Sequence, residues 1–81
     1  MKRKDVLELA RIVKKYNDDS EENSITFEKP YKTGRGKYVV CLSTTQMFTS
    51  VFLERISGFI HFDEYNMYIS HYGSQIYLRI S

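Results

Sequence analysis

From Phe59 to Ile80 the chain reads FIHFDEYNMYISHYGSQIYLRI, with apolar and polar positions alternating at the period-two spacing of strands. Ile60, Phe62, Met67, Ile69, Ile76, Leu78 and Ile80 fall on one face once the chain is folded at its two turns, and are expected to line a core. Phe59, His61, Tyr68, Ser70, Gln75, Tyr77 and Arg79 share the other. A sheet needs only one apolar side to fold, so tyrosines on the second side either pack under another element or bind something.

Two turns give consistent faces. A two-residue turn at Tyr72-Gly73 pairs His71 with Ser74, Ile69 with Ile76, Tyr68 with Tyr77 and Met67 with Leu78. A turn at Glu64-Tyr65 pairs Phe62 with Met67, Ile60 with Ile69 and His61 with Tyr68. A shift of either register by one residue would mix polar with apolar positions.

Upstream, Val6, Leu9, Ala10, Val13 and Tyr16 keep a helical period. They predict a helix over Asp5–Tyr16, opened by Asp5 and Glu8 in a capping-box spacing and closed near Asn17. The segment from Asn17 to Ser24 is polar and acidic and reads as a loop. Ile25–Glu28 reads as a short strand with Ile25 and Phe27 inward, ended by Pro30. Pro30–Gly36 reads as a hairpin tip, and Lys37–Leu42 as a return strand whose two-sided apolar character places it centrally. Ser43 and Gln46 suggest a second capping box, Met47, Phe48, Val51, Phe52 and Ile56 keep helical spacing, and Gly58 suits a C-terminal stop. A second helix is therefore expected over Thr44–Ser57. The order α-β-β-α-β-β-β predicts an α+β fold, a mainly antiparallel five-stranded sheet with two helices packed on it.

Length and composition narrow the class. Eighty-one residues, with 42% hydrophobic and 15% aromatic, fit one folded domain over 1–81 near the lower size for a self-sufficient core. The single cysteine, Cys41, leaves no internal disulfide framework and no cysteine-based zinc site. The basic start MKRK is followed by Asp5, Glu8 and Arg11, which interrupt any apolar signal-peptide core. With no run near the roughly 18 apolar residues that span a bilayer, the expectation is a cytoplasmic chain that makes no membrane contact.

Net charge is only +2, but it is unevenly spread. Lys2, Arg3, Lys4, Arg11, Lys14 and Lys15 mark the first helix, and Asp18, Asp19, Glu21 and Glu22 form an acidic stretch. The loop KPYKTGRGKY gathers Lys29, Tyr31, Lys32, Arg35 and Lys37 with two glycines. Such a loop suits phosphate neutralisation and base stacking, and equally suits a solvated hairpin tip.

The outward row His61, Tyr68 and Tyr77, flanked by Phe59 and Arg79, is the other candidate: an aromatic platform for a partner, unless the second helix covers it. His61 with Asp63 and Glu64 permits an ion pair near a turn, with an acid–base pair on His61 or His71 as a minor alternative. Neither His61 nor His71 has neighbours at metal-ligand spacing. Cys41 reads as a structural thiol. Gly34-Arg35-Gly36-Lys37 lacks the spacing and hydroxyl of a phosphate-binding loop. Neither a catalytic residue nor a metal or cofactor is expected.

The leading expectation is a small non-enzymatic binding module that inhibits or modulates a larger protein or nucleoprotein machine by docking. In size and in its lack of catalytic motifs the chain resembles accessory proteins of phages and mobile elements, a category that includes anti-CRISPR and other anti-defence inhibitors. That resemblance covers no particular motif. The alternative is direct nucleic-acid binding through the loop 29–38 and the basic N-terminal helix. Homodimerisation is compatible with both.

Overall fold

The computed structural model describes residues 1–20, 24–70 and 73–81. It is an α+β fold: two helices pack on a five-stranded antiparallel sheet. In chain order the elements are α1 (Arg3–Asp19), β1 (Thr26–Phe27), β2 (Tyr31–Lys32), β3 (Tyr38–Thr44), α2 (Ser50–Phe59), β4 (Tyr65–Ile69) and β5 (Ile76–Ile80). The order is therefore α-β-β-β-α-β-β, with three strands rather than two before the second helix.

β3 is central. β1 and β2 share one of its edges, β5 takes the other, and β4 lies outside β5. Pro30 lacks the N–H needed to continue a ladder, so the chain beside β3 breaks into two short pieces. Thr26 and Phe27 face Ser43 and Leu42, and Tyr31 and Lys32 face Val39 and Tyr38. The expected hairpin tip thus contains a strand of its own. Its turn is closed by Thr33 N–H donating to the Lys37 carbonyl (2.8 Å), with Gly36 at φ +79.

One core holds the layers together. Leu9 and Val13 of α1, Phe52 and Ile56 of α2, and Val40, Leu42, Leu78 and Ile80 of the sheet are all buried in a single cluster. The sheet residues in it share one parity, so both helices lie on the same face. Phe52 sits at its centre, with ring centroids 5.2 Å from Tyr16 and 6.0 Å from Phe48.

α1 is longer than its apolar stripe predicts. Lys2, not Asp5, is its N-cap, with no side-chain cap bond, and Asp5 is buried in the first turn. Asn17 is inside the helix rather than beyond it. Its carboxamide accepts from Ile25 N–H (2.7 Å) and donates to the Ile25 carbonyl (2.8 Å), fastening the returning chain. Ile25 is buried and Phe27 packs on the core, as expected.

The second helix departs further from expectation. Ser43 and Thr44 are the buried end of β3, where Ser43 lies between Thr26 and Tyr77, so this stretch joins ladders on both sides. The helix starts at Ser50, and the Thr49 hydroxyl caps it by accepting from Phe52 N–H (3.2 Å). At its other end Gly58 remains helical, and the Ile60 N–H closes the helix on the Ile56 carbonyl (3.0 Å).

The strand expected from Phe59 to Phe62 does not form. Phe59 ends α2, Ile60 drops into the core, and His61 N–H is taken by Asp5 Oδ1 (3.2 Å). The pairs His61–Tyr68, Ile60–Ile69 and Phe62–Met67 are consequently absent. The second register is as expected: Met67 faces Leu78, Tyr68 faces Tyr77 and Ile69 faces Ile76. His71 and Tyr72 of the expected turn, and with them the pair His71–Ser74, lie outside the described residues; Gly73 has φ +69. Glu21 and Glu22 of the acidic stretch also lie outside.

Met67 and Ile69 share the core parity of their strand partners, yet both are exposed, at 48% and 67%. Leu78 and Ile80 on β5 are buried under the helices, whereas β4 lies one strand beyond them.

Candidate functional site

Because both helices occupy one face, neither covers the other, where Val39 and Ser43 of β3 are buried, Cys41 and Tyr77 are half-buried, and Tyr68 and Arg79 are exposed. β3, β5 and β4 build it side by side: Ser43 is opposite Tyr77, Tyr77 opposite Tyr68, Cys41 opposite Arg79, and Arg79 opposite Asn66. Whether α2 covers the tyrosines is thereby answered: it packs on the opposite side.

The Tyr68 and Tyr77 rings stack with centroids 5.2 Å apart and 16° between planes. Tyr68 is 47% exposed, while Tyr77 is partly buried and donates its hydroxyl proton to Gln75 Oε1 (2.8 Å). The long Tyr68 side chain reaches across β5 to place its hydroxyl 3.9 Å from Cys41 Sγ. Burial pushes the Cys41 thiol above its ordinary 9.0, the Tyr68 contact opposes that rise, and the Glu28 carboxylate adds to it. Desolvation likewise raises the Tyr68 hydroxyl above 10.0, reinforced by Cys41. Both groups are thus held neutral near pH 7. The resulting patch is aromatic and uncharged at its centre, with two exposed charges of opposite sign beside it, Arg79 and Glu28.

Two residues expected in this row lie elsewhere. Phe59 (70% exposed) and His61 flank a cleft of about 680 Å³ beside the start of α1, together with Lys2, Lys4, Asp5 and Lys37. The cleft joins the basic N-terminal segment to the root of the basic loop. Asp5 is the buried acid of this cleft. Its Oδ1 holds His61 N–H, and among the described residues its Oδ2 has no hydrogen-bond partner.

The loop cations are arranged less uniformly than their spacing suggests. Lys37 pairs with Asp63 (2.9 Å), an exposed contact that draws the Asp63 carboxyl below its ordinary 3.8. Lys32 Nζ sits 5.2 Å above the Tyr38 ring centroid. Lys29, Tyr31 and Arg35 are exposed around the same loop. Among the described residues, no cluster of three or more His, Cys, Asp and Glu side chains could hold a metal ion. No described helix is long and apolar enough to cross a membrane.

Sequence reasoning missed Cys41, Asn66 and Glu28 as neighbours of the tyrosine pair. Asn66 follows from the β4–β5 register, but finding Cys41 and Glu28 requires knowing that β5 lies between β3 and β4, and no local signal encodes that insertion. Searches against protein-family models, curated proteins and solved structures find no match for this chain.

Proposed function

We propose that this chain is a non-enzymatic docking module that modulates a larger protein or nucleoprotein machine through the open face of its sheet. The observation that carries this reading is the stacked Tyr68–Tyr77 pair, on a sheet face that neither helix covers. Tyrosine is favoured at interface centres because a rigid amphipathic ring gives large contact area at low entropic cost.

The chemistry of the patch defines its partner. A protein surface with an apolar group for the Tyr68 ring, a carboxylate for Arg79 and no carboxylate facing Glu28 fits an uncharged centre flanked by one guanidinium and one carboxylate. Arg79 would orient the encounter, and the tyrosines would anchor it.

The test is affinity capture from host lysate, with and without nuclease, using parent chain, Tyr68→Ala and Arg79→Glu. The expected result is a nuclease-resistant protein partner lost with both variants while each still unfolds cooperatively, Tyr68→Ala with a loss of no more than about 1.5 kcal/mol. Capture that nuclease abolishes, or that both variants retain, would overturn the reading. Nuclease-sensitive capture would instead favour nucleic-acid binding through Lys29, Tyr31, Lys32, Arg35 and Lys37.

A further inference from the structure

We infer that the free edge of β4 pairs with β4 of a second copy of this chain, joining two sheets into one about a two-fold axis at Met67. β4 reads Tyr65-Asn66-Met67-Tyr68-Ile69, and all five residues are exposed. It pairs only with β5, so its other edge has no described strand beside it. Natural sheets blunt such edges with lysine, proline or a bulge. β4 has none of these devices, and no charge at all.

The backbone shows which groups the edge offers. Glu64 and Ser81 exchange hydrogen bonds in both directions (3.1 and 3.0 Å), and Ser70 N–H donates to the Gln75 carbonyl (2.8 Å). In an antiparallel ladder, bonded and non-bonded pairs alternate. The N–H and C=O groups of Glu64, Asn66, Tyr68 and Ser70 therefore point toward β5. Those of Tyr65, Met67 and Ile69 point out of the sheet.

A second antiparallel strand must set its own outward residues against these three. The register with greatest overlap places Met67 on Met67 and Tyr65 on Ile69 of the other copy. Every outward backbone group of the three then has a partner, and no like charges meet. The same three residues carry the side chains left exposed on the helix side. In the pair they fill the trough between the two helical layers, while each Tyr68 lies opposite Asn66 on the open face. The segment is complementary to itself, as an isologous interface requires. A strand from an unrelated protein meets no such condition, and β4 carries no charge that would select one.

Sedimentation of the purified chain over a concentration series tests this directly. A monomer–dimer equilibrium is expected, and Met67→Lys is expected to remove the dimer without changing circular dichroism or thermal midpoint, because Met67 is half exposed. The register has its own readout in a Cys41→Ser background. Met67→Cys should cross-link to itself under mild oxidation, because facing Cα atoms in a bonded pair are about 5.5 Å apart, within disulfide reach. Tyr65→Cys should not, because it faces Ile69. A chain that stays monomeric at every concentration overturns the inference. So does a dimer that Met67→Lys leaves intact, or one that cross-links at residue 65 as readily as at residue 67.

Discussion

Tyr68 lies flat against Tyr77 directly across the β4–β5 ladder, and its hydroxyl continues past that ring to the Cys41 thiol on β3. One side chain therefore spans three strands of the open face. Truncation of Tyr68 to alanine should weaken partner binding by about 2 kcal/mol or more, the loss typical of an interface anchor. It should lower stability by only about 0.5–1.5 kcal/mol, the worth of an aromatic pair. Tyr77→Ala should cost more stability, because Tyr77 is more buried and bonded to Gln75. Titration calorimetry with the captured partner and chemical denaturation separate the two quantities.

The Cys41 thiol gives a pH-dependent readout of the same face. Its folded pKa is raised, chiefly by burial, so the native state holds the proton more tightly than the unfolded chain. The associated stability is complete below the unfolded value near 9.0 and is lost as pH rises through the folded value. Alkylation by a small thiol reagent should show its midpoint above 9.0. Glu28→Gln should lower that midpoint by removing a charge that opposes the thiolate. Tyr68→Phe should raise it by removing the hydroxyl that favours the thiolate.

Asp5 ties the start of α1 to the chain leaving α2. Asp5→Ala should lose about 1–3 kcal/mol in denaturant unfolding, because the His61 N–H is left without its acceptor. Asp5→Asn keeps an oxygen for that N–H and should retain most of the stability. If the alanine variant is as stable as the parent, the Asp5–His61 bond contributes nothing to the fold.

Phe52 is fully buried and stacks on both Tyr16 and Phe48. Phe52→Ala should cost about 3–5 kcal/mol, a large share of the marginal stability of a domain this small. Thr49→Ala removes the side-chain cap bond at the start of α2 and should cost about 0.5–2 kcal/mol. Thermal scans of both variants should rank Phe52→Ala as the more damaging.

The register of β4 against β5 was legible because alternation on both strands agrees with a glycine-bearing turn, so any slip would turn apolar residues outward. The place of His61 was not. Ile60 and Phe62 alternate like a strand, but Ile56 and Ile60 are also one helical turn apart, and that spacing holds in the folded chain. Gly58 reads as a helix stop, yet the helix continues through it because Ile60 supplies the closing N–H. Ser43 and Gln46 have the spacing of a cap. Strand partners on both sides of Ser43 outweigh that local preference, since a two-sided ladder satisfies more backbone groups than one cap. Half of the candidate face, the tyrosine pair, came from local pattern. Arg79 came from the same alternation, whereas Cys41 and Glu28 depend on long-range strand order.

Pro30 gives the sheet two unlike margins. On the β1–β2 side the outer chain is broken into two-residue pieces, so no long ladder can be extended there. The β4 side is continuous and open. A molecule with one receptive margin can join a second at that margin, and then no receptive margin remains. If β4 pairs with a second copy as inferred above, assembly along the strand-pairing direction would end at two chains instead of running on into a filament, even though the exposed strand carries no protective charge.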